Sequence, residues 1–455
     1  MKIKSKKSIL PIIIILILCI ILGVIIYIAV KKNSSNMNGI DGSQIQDMQK
    51  GGMEQSSTNS ASSSATAVTT IDGTEQTLSD GNYSSSNSDE SAILVKNGGN
   101  LTLKNATITK TGDSTNTENS EFYGINAGIL TTENSTTTIN DANISTNSKG
   151  SNAVFSTGTN AKTYISNSKI TTTGASSARG LDGTYGGYIE ADNVQITTQG
   201  NSCATLATDR GEGIVIAKNS TLETNGVGSP VIYSTGDISV SNTKGTANGS
   251  QMVVVEGKNS ATVENSTLTA SGKGNRNDVD NCGIMIYQSM SGDASTGTGN
   301  FTATNSSLSI DSNSSYYKTA PMFFITNTDA IINLTNTKLD FGSNVLLSAK
   351  GTSEWGNSGS NAGNTTLNAT NQTLSGNIQI DNISTLIMNL KSSSTYTGTI
   401  NGDNLAKSIT LNVDETSKIT LTGDSYVTSL NDTNSSYSNI NFNGYKLYVN
   451  GTAIN

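Results

Sequence analysis

The 455-residue chain has no histidine, and it has only three cysteines, three prolines and one tryptophan. Arginine is limited to Arg179, Arg210 and Arg276. Each scarcity removes a class of chemistry. Without histidine there is no Ser-His-Asp triad, no Cys-His nucleophile pair and no His-ligated zinc, haem or non-haem iron. So few arginines argue against nucleic-acid binding and Arg-clamped phosphoryl transfer. Three cysteines give no disulfide framework. With aromatics at 5%, a core must rest on small and β-branched side chains.

What is present is divided unevenly. Lys2, Lys4, Lys6, Lys7, Lys31 and Lys32 are six of the 27 basic residues, which leaves 21 against 35 acidic residues beyond position 32, a net charge of −14. That balance favours solubility and repels polyanions, so no nucleic-acid partner is expected. From Ile9 to Val30 no residue carries a charge. As a helix this run would reach about 33 Å, enough to cross a bilayer. Four lysines before it and two after it place the N-terminus in the cytoplasm and the remainder outside. No small-x-small cleavage site follows the run, which ends Ile28-Ala29-Val30-Lys31. Residues 1–32 are therefore read as an uncleaved signal anchor with a transmembrane segment at 9–30. The expected location is the cell membrane, single-pass, with an extracellular C-terminal region. Residues 33–70, dominated by Ser, Asn, Gln, Gly and Thr, read as a flexible polar linker.

From Ile71 onward the chain repeats. The unit is an alternating stretch, then Asn or Asp, two small or polar residues, and Ile or Leu. It occurs as LTLKNATIT, TINDANIST, YISNSKITT, IEADNVQIT, VIAKNSTLE, the degenerate ISVSNTKG, ATVENSTLT, TATNSSLSI, INLTNTKLD and NATNQTLSG. The anchoring residues Asn105, Asp141, Asn167, Asn193, Asn219, Asn242, Asn265, Asn305, Asn336 and Asn371 are spaced by 36, 26, 26, 26, 23, 23, 40, 31 and 35. Two-residue alternation inside a period near 25 predicts a solenoid of short parallel strands. Residues 71–455 would supply about 12 to 15 rungs at about 4.8 Å each, a rod roughly 60 to 70 Å long. The repeated Asn is read as turn chemistry, because Asn tolerates the left-handed backbone and can stack between rungs.

The Asn-bearing turn, irregular rung lengths and Gly-rich polar loops resemble the right-handed parallel β-helix of pectin-lyase-like proteins, especially adhesin-like bacterial surface proteins. The resemblance covers about 85% of the chain by this repeat region. It implies an all-β, right-handed parallel β-helix (solenoid) over 71–455, preceded by one transmembrane helix. Residues 400–455 are expected to form capping rungs that protect the open edge.

Four constellations bear on chemistry. Arg179, Asp182, Tyr185, Tyr188, Asp209 and Arg210 fall within two adjacent rungs, and the two arginines, separated by close to one repeat, would stack on one face. Planar donors, carboxylates and tyrosines suit a sugar or uronate site; the alternative is that they pair internally to close two Gly-rich turns. Asn277, Asp278 and Asp280, in GKGNRNDVDNCG, offer oxygen ligands of the kind Ca²⁺ takes, without an EF-hand pattern; a solvated loop is the competing reading. Asn327-Thr328-Asp329 resembles the first acidic motif of polygalacturonases, but the Asp-Asp, Gly-His-Gly and Arg-x-Lys motifs of that family are missing. Thr136–Thr138, Thr171–Thr173 and Thr302–Thr304 form Thr-x-Thr stretches that resemble ice-binding ladders, but unequal rungs are expected to break such an array. Cys203 and Cys282 would lie about three rungs, roughly 14 Å, apart, beyond disulfide reach. The expected role is a membrane-anchored adhesin-like surface protein contacting glycans or other surfaces through many weak contacts. The alternative is a carbohydrate-active lyase or hydrolase.

Overall fold

The computed structural model describes residues 64–455. The expected anchor at 9–30 and most of the linker lie outside the described residues. The first strand, Thr66–Asp72, begins within the stretch read as linker, so the alternation Ala67-Val68-Thr69-Thr70-Ile71 belongs to the folded body. No helix among the described residues is long and apolar enough to cross a membrane.

The chain passes through three sheets in rotation. Sheet 1 begins Thr66–Asp72, Glu90–Lys96, Ile129–Thr131; sheet 2 begins Glu75–Ser79, Asn100–Lys104, Thr136–Asn140; sheet 3 begins Asn82–Ser85, Thr107–Lys110, Asn143–Thr146. Up to Thr385–Lys391, paired neighbours are three strands apart in the chain, and beyond it two or three, in sheets of 12, 14 and 10 strands. This is the topology of a parallel β-solenoid, and the 14 strands of sheet 2 fall within the range of rungs expected from the repeat. Beyond Lys338–Asp340 the third side resumes as a four-stranded sheet from Thr373–Ser375 to Ile440–Asn441. Pairing among the described strands is parallel until the last, where Leu447–Val449 and Thr452–Ala453 run antiparallel.

The spacing of the repeat is the register of the sheets. In sheet 3, Thr107 pairs with Asn143, then Lys169, Gln195, Thr221, Lys244, Thr267, Ser307 and Lys338. All ten anchoring Asn and Asp residues have left-handed backbones, with φ between 46° and 57°. A bulkier residue there would cost about 1–2 kcal/mol. Several also stack across rungs, with the Asn193 amide donating to Asn167 at 2.8 Å and Asn336 to Asn305 at 2.8 Å.

Where the residue after the Asn is Ser or Thr, it carries a second ladder. The hydroxyls of Ser168, Ser220, Thr243, Ser266 and Ser306 accept the backbone N–H of the preceding rung at 3.0 to 3.3 Å. Each also donates to the carbonyl two residues earlier, as Ser220 does to Lys218 at 2.6 Å. Peptide groups at the turn are thereby satisfied without water. The aliphatic end of the unit (Ile108, Ile144, Ile170, Ile196, Leu222, Leu268, Leu308) forms one fully buried column. The degenerate rung has Gly245 in this column, where an added Cβ would lie 2.6 Å from Leu268 and 2.9 Å from Val231; these neighbours already occupy the space.

A further buried column lies at the end of sheet 3. Thr146, Thr172 and Thr198 donate to turn carbonyls at 2.6 to 2.8 Å. Lys110 stands in register with Thr146 and does the same with a buried ammonium, bonding the carbonyls of Asn87, Thr111 and Gly112. Burial lowers its pKa to about 8.

Unequal rung lengths do not disturb the strands. The extra residues lie in loops 111–128, 271–283, 288–297, 311–322 and 350–362, each bordering sheet 1. The expectation that variable rungs break the array is therefore corrected in part: sheet 2 stays in register across all of these loops and sheet 3 across those before Lys338–Asp340, where it ends. The Thr-x-Thr stretches nevertheless form no single array, because Thr136–Thr138 and Thr302–Thr304 belong to sheet 2 and Thr171–Thr172 to sheet 3.

Candidate functional site on the outer face of sheet 1

Sheets 2 and 3 alternate buried and solvent-facing residues, whereas strands of sheet 1 such as Leu181–Thr184, Val253–Glu256 and Phe323–Thr326 are buried on both faces. The long loops fold over this outer face. The first contains the helix α1, Thr117–Tyr123, capped at its start by Asn116 and at its end by left-handed Gly124.

Beneath this cover lies a charge cluster. Asp182 points outward from its strand, between Phe155 and Ala207 in register. Arg179 enters from the loop before the strand and Asp209 from the turn after the next one. The Arg179 guanidinium lies 2.7 Å from carboxylate oxygens of both Asp182 and Asp209. All three are buried, and Oδ1 of Asp182 has no hydrogen-bond partner. Burial pushes both carboxyls up, that of Asp209 to about 7, against the pull of Arg179. Burial works against the charge on Arg179, but Asp182, Asp209 and Glu121 outweigh it and hold its pKa well above the usual value. Of the two sequence readings, these three residues fit internal pairing.

The other predicted residues diverge. Leu181 pairs with Leu206, so the position one rung on from Arg179 is Ala204, before the strand, whereas Arg210 lies beyond its far end. Arg210 instead pairs with Asp293 at 2.7 Å and lies 3.8 Å over the ring of Phe122. Tyr185 stacks on Tyr123 with centroids 5.4 Å apart, so both residues fasten α1. Tyr188 belongs to sheet 2, where it packs near Tyr164 and donates to Glu190 at 2.7 Å. Asn277 and Asp278 are exposed residues with left-handed backbones. Asp280 turns inward and accepts the N–H groups of Asn275 and Arg276 at 3.0 and 2.9 Å, which holds the loop. No three Asp, Glu or Cys side chains among the described residues gather as a metal site would require. Asn327 forms a turn and donates to the Gln288 carbonyl, while Asp329 faces out of sheet 2. Cys203 and Cys282 are buried free thiols.

The open part of the site is one the sequence did not suggest. A cleft of about 260 Å³ lies over the strands carrying Tyr233, Val254 and Met285 and is walled by Glu256, Arg276, Tyr287, Asp293 and Trp355. The buried Glu256 carboxylate accepts the hydroxyls of Tyr233 and Tyr287, each at 2.9 Å, and the N–H of Ser289 at 3.2 Å. Burial, then the charge of Glu256, raises both phenols well above their usual pKa. The rings are thereby fixed as neutral donors. Tyr287 meets Trp355 edge to face at 5.3 Å, and Arg179 stands 5.9 Å from the Tyr233 ring. No family model, curated protein or solved structure matches the chain. The site is therefore defined by its own geometry: rigid aromatic walls, one exposed cation at Arg276 and several carboxylates. Such a surface offers apolar contact to a sugar ring and hydrogen bonds to its hydroxyls. A second cleft of about 490 Å³ on the same sheet is bordered by Asp278, Tyr316, Phe324, Lys350 and Gln379.

The signal that marks this region in the sequence is the surplus in the long rungs. Spacings of 36, 40, 31 and 35 are the rungs whose loops build the cover and the cleft. Trp355, the chain's single tryptophan, sits in one of them.

Proposed function

We propose that the chain is a membrane-anchored surface protein of adhesin type, a right-handed pectin-lyase-like coil displayed outside the cell, which holds glycans in the cleft on sheet 1. The observation that carries the reading is the cleft itself, where Tyr233, Tyr287 and Trp355 are fixed around Glu256 beside the exposed Arg276. The lysine-flanked apolar run at 9–30 supports the anchor, and the acidic, polar body supports exposure to solvent. Binding rather than turnover fits the buried, mutually paired state of Arg179, Asp182 and Asp209.

The test is retention of the full chain, in mild detergent, on pectin, alginate and mucin-glycan matrices. Retention without product is expected, and Arg276→Ala should reduce it about tenfold, as for loss of a charged hydrogen bond. Absence of retention on every matrix would defeat the reading. A carbohydrate-active enzyme is favoured by one observation, the Asp209 carboxyl raised to about 7 beside Asp182, a range suited to a general acid. Release of reducing or unsaturated ends, abolished by Asp209→Asn, would establish it instead.

A further inference from the structure

A larger concavity, about 530 Å³, lies away from sheet 1, along the turns joining sheets 2 and 3. It crosses five consecutive rungs; the first four each contribute a left-handed Asn or Asp, a small floor residue and an outward polar residue, and the fifth contributes the left-handed Asn219 and the outward Thr221. The floor is Ala106, Ala142, Ser168 and Val194, all buried. The left-handed residues form one wall. The other is Thr107, Asn143, Lys169, Gln195 and Thr221, which face one another in register.

We propose that this groove binds an uncharged, extended glycan lying along the solenoid axis, about one sugar unit per rung. Four strand spacings of about 4.8 Å make the groove about 19 Å long, and that step is close to one pyranose unit in an extended chain. The walls repeat donors and acceptors at the same step. Among the described residues, the side chains of Asp141, Asn143, Gln195 and Thr221 make no hydrogen bond within the protein, so their capacity is available to a ligand.

The charge and backbone pattern select the class. Asp141 and Lys169 are the two charged lining residues and cancel, which disfavours polyanions and polycations. Aromatic platforms are absent from the lining, so recognition falls to hydrogen bonds with hydroxyls. An extended peptide would need free strand edges for backbone pairing, but the bordering strands are paired on both sides. The site is separate from the sheet 1 cleft and does not depend on the function proposed for it.

The experiment is calorimetric titration of the full chain, in mild detergent, with hexamers and dimers of β-1,4-linked glucose and of β-1,4-linked N-acetylglucosamine. At least one hexamer should bind about tenfold or more tightly than its dimer, because it spans the repeated contacts. The triple variant Asn143→Ala, Gln195→Ala, Thr221→Ala should weaken hexamer binding about tenfold or more. These positions are exposed, and an unchanged melting profile should show that the coil is intact. Thr397→Ala, exposed on the C-terminal four-stranded sheet and outside both sites, should leave hexamer binding unchanged. Failure of both hexamers to bind, or equal binding by the triple variant, would overturn the proposal. Binding lost with Arg276→Ala but kept in the triple variant would overturn it too, while supporting the cleft.

Discussion

Along sheet 1 the outward column runs Phe155, Asp182, Ala207, Tyr233, Val254, Met285, and along sheet 3 it runs Ser145, Thr171, Thr197, Glu223, Thr246, Thr269. Both columns come from successive rungs of one coil. The first is covered by loops and mixes apolar, aromatic and charged groups; the second meets solvent and is hydroxyl-rich. The difference shows a division of labour within each rung. From Thr107 to Asp340 two sides keep register, and the third absorbs the insertions and gathers the cluster of Arg179, Asp182 and Asp209.

The sharpest way to break that contrast is at the buried charges. Arg179→Met should destabilise the fold by about 3–5 kcal/mol, because Asp182 and Asp209 would remain buried without their counter-ion; denaturant unfolding at pH 8 measures it. The loss should shrink as pH falls, because burial already raises both carboxyls and Asp209, near 7, takes up a proton first. On the regular side, filling the gap in the degenerate rung should harm rather than repair it. Gly245→Leu is expected to cost about 1–3 kcal/mol through overpacking against Leu268 and Val231, again by denaturant unfolding. Asn167→Ala should cost about 1–2 kcal/mol for its left-handed backbone, and Asn167→Gly distinctly less; equal losses would show that the side-chain ladder, not the backbone, dominates.

A pH series compares the two sides differently. The folded Asp209 carboxyl, near 7, keeps its proton over a range in which the unfolded chain, titrating near about 4, has lost it. Its contribution to stability is complete below about 4 and is lost as pH rises through about 7. Asp209→Asn should flatten that slope between pH 5 and 8. The smallest effect is expected at Arg210→Ala, about 0.5–1 kcal/mol, since its pair with Asp293 is partly exposed. Its clearer readout is faster amide exchange in α1, whose Phe122 it covers.

The regular side was legible in the sequence. The spacings of Asn105 through Asn371 reproduce the strand register, and the turn role assigned to those residues agrees with their φ values. The hydroxyl ladder lies at the position after the Asn but is hidden there because that position also holds Ala, Val and Gln. The site was less legible. Proximity in sequence grouped Tyr188 with Arg179, yet three residues after Tyr185 the chain has turned onto another sheet. The partners that matter, Asp293 for Arg210 and Trp355 for Tyr287, come from rungs much further along the chain. Loops of unequal length bring them together, and no local pattern encodes that meeting.

Uniform register also carries a hazard during folding. Between Asn143 and Thr221 successive rungs share one and the same offset, so a strand can pair one rung too far on, with its inward and outward faces still correct and a whole turn extruded as a loop. The two shorter rungs that follow share an offset of 23, but the change from 26 to 23, and the longer rungs at either end, do not permit a slip across them at the same loop length. The irregular rungs thus serve as register marks, confining misalignment to a short stretch of an otherwise self-similar chain.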